Sequence, residues 1–137
     1  MALDTSIWIY WMEEKPEFLP IVEPIFEEID RGRLEAVTSA VTLLEVLVLP
    51  LRNRDTALAE AYEQRLLHGE GLTLVPLDTA ALKTAAEIRA FTGTKTPDSL
   101  QLAAALQQRC SAFVTNDRRL PSFPGLRVLD LTGYRSA

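Results

Sequence analysis

Thr94-Lys95-Thr96-Pro97-Asp98-Ser99-Leu100-Gln101-Leu102-Ala103-Ala104-Ala105 reads as the entry and first turns of a helix. The Thr96 hydroxyl is placed to cap it, and Pro97 suits the first helical position, where no backbone donor is needed. The Leu, Ala and Gln that follow are strong helix formers, so the helix is expected to run to about Cys110. Asp98 then sits in the first turn, where it has two readings. It can complement the positive end of the helix dipole, or it can present a fixed oxygen ligand to a cation.

Working outward, the chain alternates short apolar runs with amphipathic ones. Met1-Ala2-Leu3 reads as the end of a buried strand, and with Asp4-Thr5-Ser6 followed by Ile7-Trp8-Ile9 the chain is expected to pass from strand to helix at Asp4. Phe18 to Arg31 is a helix with Ile21, Val22, Ile25, Phe26 and Ile29 on one face. Leu34 to Thr38 is a second strand. Ser39 to Leu49 then reads as a mostly buried helix, because Leu44, Leu47, Val48 and Leu51 share helical spacing. Asn53 to Leu67 is a helix with Ala57, Leu58, Ala61, Tyr62 and Leu66 inward. Leu72 to Val75 is a strand, and Thr79 to Phe91 a helix with Leu82, Ala85, Ala86 and Ile88 apolar. Ala112 to Thr115 and Leu126 to Leu129 are the last strands, and Gly133 to Ala137 is a tail. Strands separated by helices argue for a parallel sheet covered on both faces.

Composition removes several chemistries. The 137 residues, 47% hydrophobic and 24% charged, fit one globular domain, with no repeat, low-complexity tract or interdomain linker. The single Cys110 has no partner for an internal disulfide, as suits a reducing cytoplasm. Ile7 to Met12 is apolar but too short to span a bilayer, and no signal-peptide pattern precedes it. His68 is the one histidine, so a Cys/His zinc site cannot form, and its place before Gly69 at a helix end is an ordinary structural one. No glycine-rich phosphate loop is present. A net charge of −5 argues against a broad basic face, although setting aside four carboxylates around divalent cations would bring it to −1.

Carboxylates remain. In an open parallel α/β sheet, sites form outside the carboxyl ends of the strands. Asp4 follows the first strand, where it reads either as an N-cap or as a ligand. Asp117 follows the strand ending at Thr115, where it reads as a turn residue or a ligand. Glu45 lies among Leu and Val on the helix after the second strand. There it needs either a basic partner or a metal. Hard divalent cations favour such oxygen ligands, and carboxylates gathered without one would raise at least one pKa.

Four segments together, Leu3-Asp4-Thr5-Ser6, Thr42-Leu43-Leu44-Glu45-Val46, Pro97 to Ala105 and Val114-Thr115-Asn116-Asp117, resemble the PIN domain, most closely VapC-type toxin ribonucleases. The resemblance covers nearly the whole chain, residues 1–137, and implies a three-layer α/β/α sandwich with a central, mostly parallel sheet. It further implies a Mg²⁺- or Mn²⁺-dependent endoribonuclease in which Asp4, Glu45, Asp98 and Asp117 hold the metal. Glu45 would help hold the ion or orient the attacking water, which attacks phosphorus in line. Ser6 and Thr115 match the small hydroxyl residues beside it. Many members are toxins that dimerise and are silenced by a small antitoxin. Lys95, Arg118, Arg119, Arg52 and Arg54 are candidate contacts to the RNA backbone. The chain departs from the family pattern in a very short opening strand, consistent with a late start codon or trimming, and in the lack of a second acid soon after Asp117. A catalytically silent PIN scaffold acting through a partner, or a nuclease of RNA maturation, is the alternative.

Overall fold

The computed structural model describes residues 1–117 and 119–131. The expected Arg118 contact and the tail Gly133 to Ala137 lie outside the described residues. In chain order the elements are β1 (Ala2–Leu3), α1 (Thr5–Met12), α2 (Leu19–Asp30), β2 (Ala36–Ser39), α3 (Val41–Arg52), α4 (Thr56–His68), β3 (Leu72–Val75), α5 (Thr79–Thr92), α6 (Thr96–Gln107), β4 (Ala112–Thr115) and β5 (Arg127–Asp130). The sheet order is β3-β2-β1-β4-β5, and all four strand pairings are parallel. The expected α/β/α architecture is therefore present.

Side-chain alternation along the strands builds the two cores. Ala2, Val37 and Phe113 are neighbours in register and join Val75, Ala85, Ile88 and Leu102 on the face covered by α5 and α6. Leu3, Ala36 and Val114 point the other way, into a core with Ile7, Trp8, Val22, Phe26, Val46, Tyr62 and Leu66. Phe26 fills the space between two tryptophans, edge-on to Trp8 and stacked on Trp11. After β1 the chain moves outward to β2 and β3, then returns to the opposite side of β1 for β4 and β5. The direction of winding reverses between β1 and β4, which is where such sheets open a crevice.

Several local expectations are corrected. Lys95, not Thr96, is the N-cap of α6, and it offers no side-chain cap; Thr96 is already helical, and its hydroxyl accepts from Arg89 Nη1 at 2.8 Å. Pro97 still falls in the first turn, where its missing donor costs nothing. The helix ends at Gln107, short of Cys110, because Arg109 takes a left-handed φ of 55°. Asp55 caps α4, so that helix starts after Asn53, and Ala59 rather than Ala57 or Ala61 is buried. On α5 the inner residues are Ala81, Ala85 and Ile88, while Leu82 and Ala86 face out.

The largest correction is α3. Its buried residues are Val41, Thr42, Val46 and Pro50, whereas Leu44, Val48 and Leu51 are exposed, Leu44 by 62%. The helix carries two apolar stripes on opposite sides, and hydrophobic spacing alone cannot choose between them. Thr42 decides: its hydroxyl has buried partners on β2 and α6, which turns that side inward.

Candidate active site

Asp4 sits at the winding reversal. Its backbone N–H donates to Val114 O at 3.0 Å, extending the β1–β4 pairing by one residue. Its carboxylate is held at both oxygens: Oδ1 accepts from Thr5 N at 2.7 Å as the N-cap of α1, and Oδ2 accepts from Thr115 Oγ1 at 2.7 Å. The N-cap reading of Asp4 therefore holds. Burial nevertheless pushes its pKa above the ordinary carboxylate value, and the nearby charges of Glu45 and Asp117 push it the same way.

Glu45 is half-buried one turn beyond Thr42. Among the described residues it takes no basic partner; instead its Oε1 accepts from Thr5 Oγ1 at 2.8 Å. Asp98, in the first turn of α6, is half-buried and also raised in pKa, first by burial and then by Asp4 and Asp117, against the opposing pull of Lys95 and Arg119. Asp117 goes the other way. Arg119 Nε and Nη2 donate to its two oxygens at 3.1 and 3.2 Å, and the Arg119 backbone N–H donates to Oδ1 at 2.9 Å, which holds the carboxyl below its usual range. The guanidinium is 81% exposed, so this pair is screened by solvent and contributes little.

The four acids therefore stand at one edge of the sheet and act on one another electrostatically. Among the described residues no three acidic side chains close into a ready-made ligand set. The donor set nonetheless fits a hard divalent cation. It is all oxygen, and burial together with neighbouring carboxylates raises the pKa of Asp4 and Asp98, a cost that a bound cation would relieve. Asp98, Asp117, Lys95 and Arg119 line a cleft of about 210 Å³ together with Thr94 and Leu120. A larger apolar concavity, about 410 Å³, is lined by Pro20, Pro24, Ile25 and Leu129 and has no acidic or basic side chain.

Of the two expected hydroxyls, Thr115 bonds Asp4, whereas Ser6 Oγ is buried without a hydrogen-bond partner among the described residues. Lys95 and Arg119 stand at the cleft, and Arg119 is engaged with Asp117. Arg52 and Arg54 lie about two turns beyond Glu45, at and after the end of α3, both exposed.

Sequence reasoning passed over a buried polar layer beneath the acids. Thr5, Thr38, Ser39, Thr42 and Gln101 are all buried and hydrogen-bonded to one another across α1, β2, α3 and α6. A signal for it exists in the chain: Thr42 stands three before Glu45 and Gln101 three after Asp98, polar residues one turn from an acid in otherwise apolar stretches.

Comparison with known proteins follows the same line. The chain is similar in structure to a toxin–antitoxin complex from Klebsiella pneumoniae (TM-score 0.69, 18% identity, 91% of this chain and 93% of that one). It is similar to VapBC2 from Rickettsia felis bound to a promoter DNA fragment (TM-score 0.70, 15% identity, 94% and 96% covered). It also matches FitAcB from Neisseria gonorrhoeae (TM-score 0.67, 18% identity, 96% and 97% covered). At these identities the likeness shows the fold. A search for relatives among curated protein sequences gives no match. The family profile of the PIN domain matches residues 1–126, and the chain belongs to the PIN domain family.

Proposed function

We propose that residues 1–137 form one nuclease domain, a Mg²⁺- or Mn²⁺-dependent endoribonuclease that acts in the cytoplasm as the toxin of a type II toxin–antitoxin pair. One observation supports this: Asp4, Glu45, Asp98 and Asp117, distant along the chain, lie on elements that border the winding reversal, where burial and neighbouring carboxylates raise the pKa of Asp4 and Asp98. Asp4, Asp98 and Asp117 would hold the ion, with Glu45 holding it or orienting water. When bound, such an ion supplies charge neutralisation for the phosphoryl oxygens and lowers the pKa of water.

The chain's own groups do the rest. Thr115 and the Thr5 N–H fix the Asp4 carboxylate in one orientation, so its oxygens need no reordering during the reaction. The half-buried Glu45, bonded on one oxygen by Thr5, keeps the other free to accept a proton from an attacking water. Lys95 and Arg119 flank the cleft as cations for the RNA phosphates. With so few positive charges, RNA binding should show only a modest salt dependence.

The toxin role is carried over from the structural neighbours, one of which is a toxin–antitoxin complex by name. A small antitoxin with a basic segment would complement the acidic edge. The exposed Leu44, Val48 and Leu51 stripe supports pairing with a second copy of the chain. Among the described residues no helix is long and apolar enough to cross a membrane.

A second reading, a silent scaffold, draws on the Arg119 clamp of Asp117. Incubating the purified protein with RNA and Mn²⁺ separates the two. Cleavage by the wild type, lost on the order of 100-fold or more in Asp98→Asn, supports the nuclease. No cleavage, or cleavage unchanged in that variant, rejects it.

A further inference from the structure

The protons of the buried layer can be assigned one at a time. Thr38 Oγ1 is 2.9 Å from Leu3 O, a carbonyl that can only accept, and 3.4 Å from Gln101 Oε1, so the Thr38 proton goes to the nearer carbonyl. The 2.7 Å contact between Thr38 and Thr42 must then carry the Thr42 proton. Ser39 N–H donates to the Gln101 side chain at 3.2 Å, so the atom facing it is the amide oxygen and not the nitrogen. That fixes the amide orientation and aims Nε2 at Thr42 Oγ1 (2.6 Å) and Thr5 Oγ1 (3.0 Å). Both hydroxyls accept from Gln101, and of the two acceptors still open to the Thr5 proton the charged Glu45 Oε1 is the nearer, at 2.8 Å. Thr42 Oγ1 keeps a second lone pair but is neutral and farther away, at 3.2 Å.

We propose that Gln101 is a positioning residue: by donating to Thr5 and Thr42 together, it holds the Thr5 hydroxyl with its proton directed at Glu45 and so fixes that carboxylate at the site. The inference rests on the nuclease reading above and names the residue that sets the geometry of one of its acids. Gln101 is on the same face of α6 as Asp98, one turn deeper and 2% exposed, so it touches neither substrate nor ion. Removing its two donors would release the Thr5 hydroxyl to turn toward Thr42, and Glu45 would lose its hydrogen bond from Thr5. A layer that only held the fold together would not need a defined direction. Here the Ser39 N–H supplies one, and the direction ends on an acid.

The test uses Mn²⁺ titration of the purified chain by calorimetry, with Gln101→Met as a change that conserves volume. Gln101→Met and Thr5→Val should each weaken Mn²⁺ binding about tenfold, as loss of a group behind a ligand commonly does. The double variant should be no weaker than either single one, and Thr5→Ser, which keeps the hydroxyl, should stay within about twofold of wild type. A Gln101→Met protein that melts lower but binds Mn²⁺ within about twofold of wild type overturns the proposal, as do effects of the two variants that multiply. If Gln101→Met does not fold, the Thr5 pair decides in the same terms. Proton exchange in the metal-free wild type gives an independent reading: the Gln101 side-chain amide protons should exchange on the order of tenfold slower than those of the exposed Gln64 and Gln108, and equal rates overturn the assignment. Wild type that neither binds Mn²⁺ nor cleaves RNA removes the nuclease reading together with this role, whereas binding with intact Gln101→Met affinity removes this role alone.

Discussion

Helices α3 and α6 look like two versions of one device. Each carries an acid of the site and, one turn away, a polar residue that reaches into the layer beneath: Glu45 with Thr42, Asp98 with Gln101. Their surroundings differ. From Ser99 to Ala105 every residue of α6 is buried, so the helix is packed on all sides with small side chains admitting close neighbours. The outer side of α3 is a row of leucines and valine in solvent. The same placement of chemistry is thus reached by a helix that is core and by a helix that is surface, and hydrophobicity does not tell them apart. The Ala-rich α6 is buried, and the Leu-rich α3 is half outside.

The contrast can be broken most sharply by truncation. Leu102→Ala on α6, fully buried, should cost about 2–5 kcal/mol in urea unfolding. Leu44→Ala on the outer side of α3 should stay within about 0.5 kcal/mol in dilute protein. Equal costs would mean that the exposed stripe of α3 is packed against something in the monomer.

A smaller effect concerns the fourth acid. Arg119→Ala frees Asp117 from an exposed ion pair, and Mn²⁺ affinity is expected to rise about threefold, since such pairs are weak. A fall in affinity would make Arg119 a supporter of the site instead of a competitor for it.

Smaller still is the effect of Asp98 on stability. Its folded pKa lies above the unfolded one, so over that window the folded chain binds more protons than the unfolded chain, and stability falls as pH rises from the ordinary carboxylate range through the raised value. Asp98→Asn should therefore melt about 2 °C higher than wild type at pH 7 without metal, and the gap should close below pH ~4. Asp4 has the same sign, whereas Asp117, held below its usual range by Arg119, has the opposite one. A lower melting temperature for Asp98→Asn would contradict the burial and like-charge cause given for its shift.

Much of the architecture was legible because it depends on alternation. Apolar runs such as Ala112 to Thr115, separated by amphipathic helices, specify a parallel sheet, and acids at strand ends mark its reactive edge. What periodicity could not supply was the rotation of a helix with two apolar sides. Leu44, Val48 and Leu51 satisfy the spacing rule as well as Val46 and Pro50 do, and the choice was made by Thr42, a residue that hydrophobic patterns ignore. Thr96 was misread as a cap because its hydroxyl is claimed by Arg89, seven residues back and on another helix. The Arg119 clamp on Asp117 was equally hidden, since a charge two residues away can point anywhere on a loop. The polar layer was written in the chain at one-turn spacing from the acids, but only the folded arrangement joins Gln101 to Thr5.

The most direct measurement is a calorimetric Mn²⁺ titration of the wild type beside Asp4→Asn and Asp98→Asn, each checked for folding. Convergence of the acids on a shared ion predicts saturable binding by the wild type and a loss of about tenfold or more in each variant. Absence of specific heat in the wild type, or affinity unchanged in both variants, would contradict it.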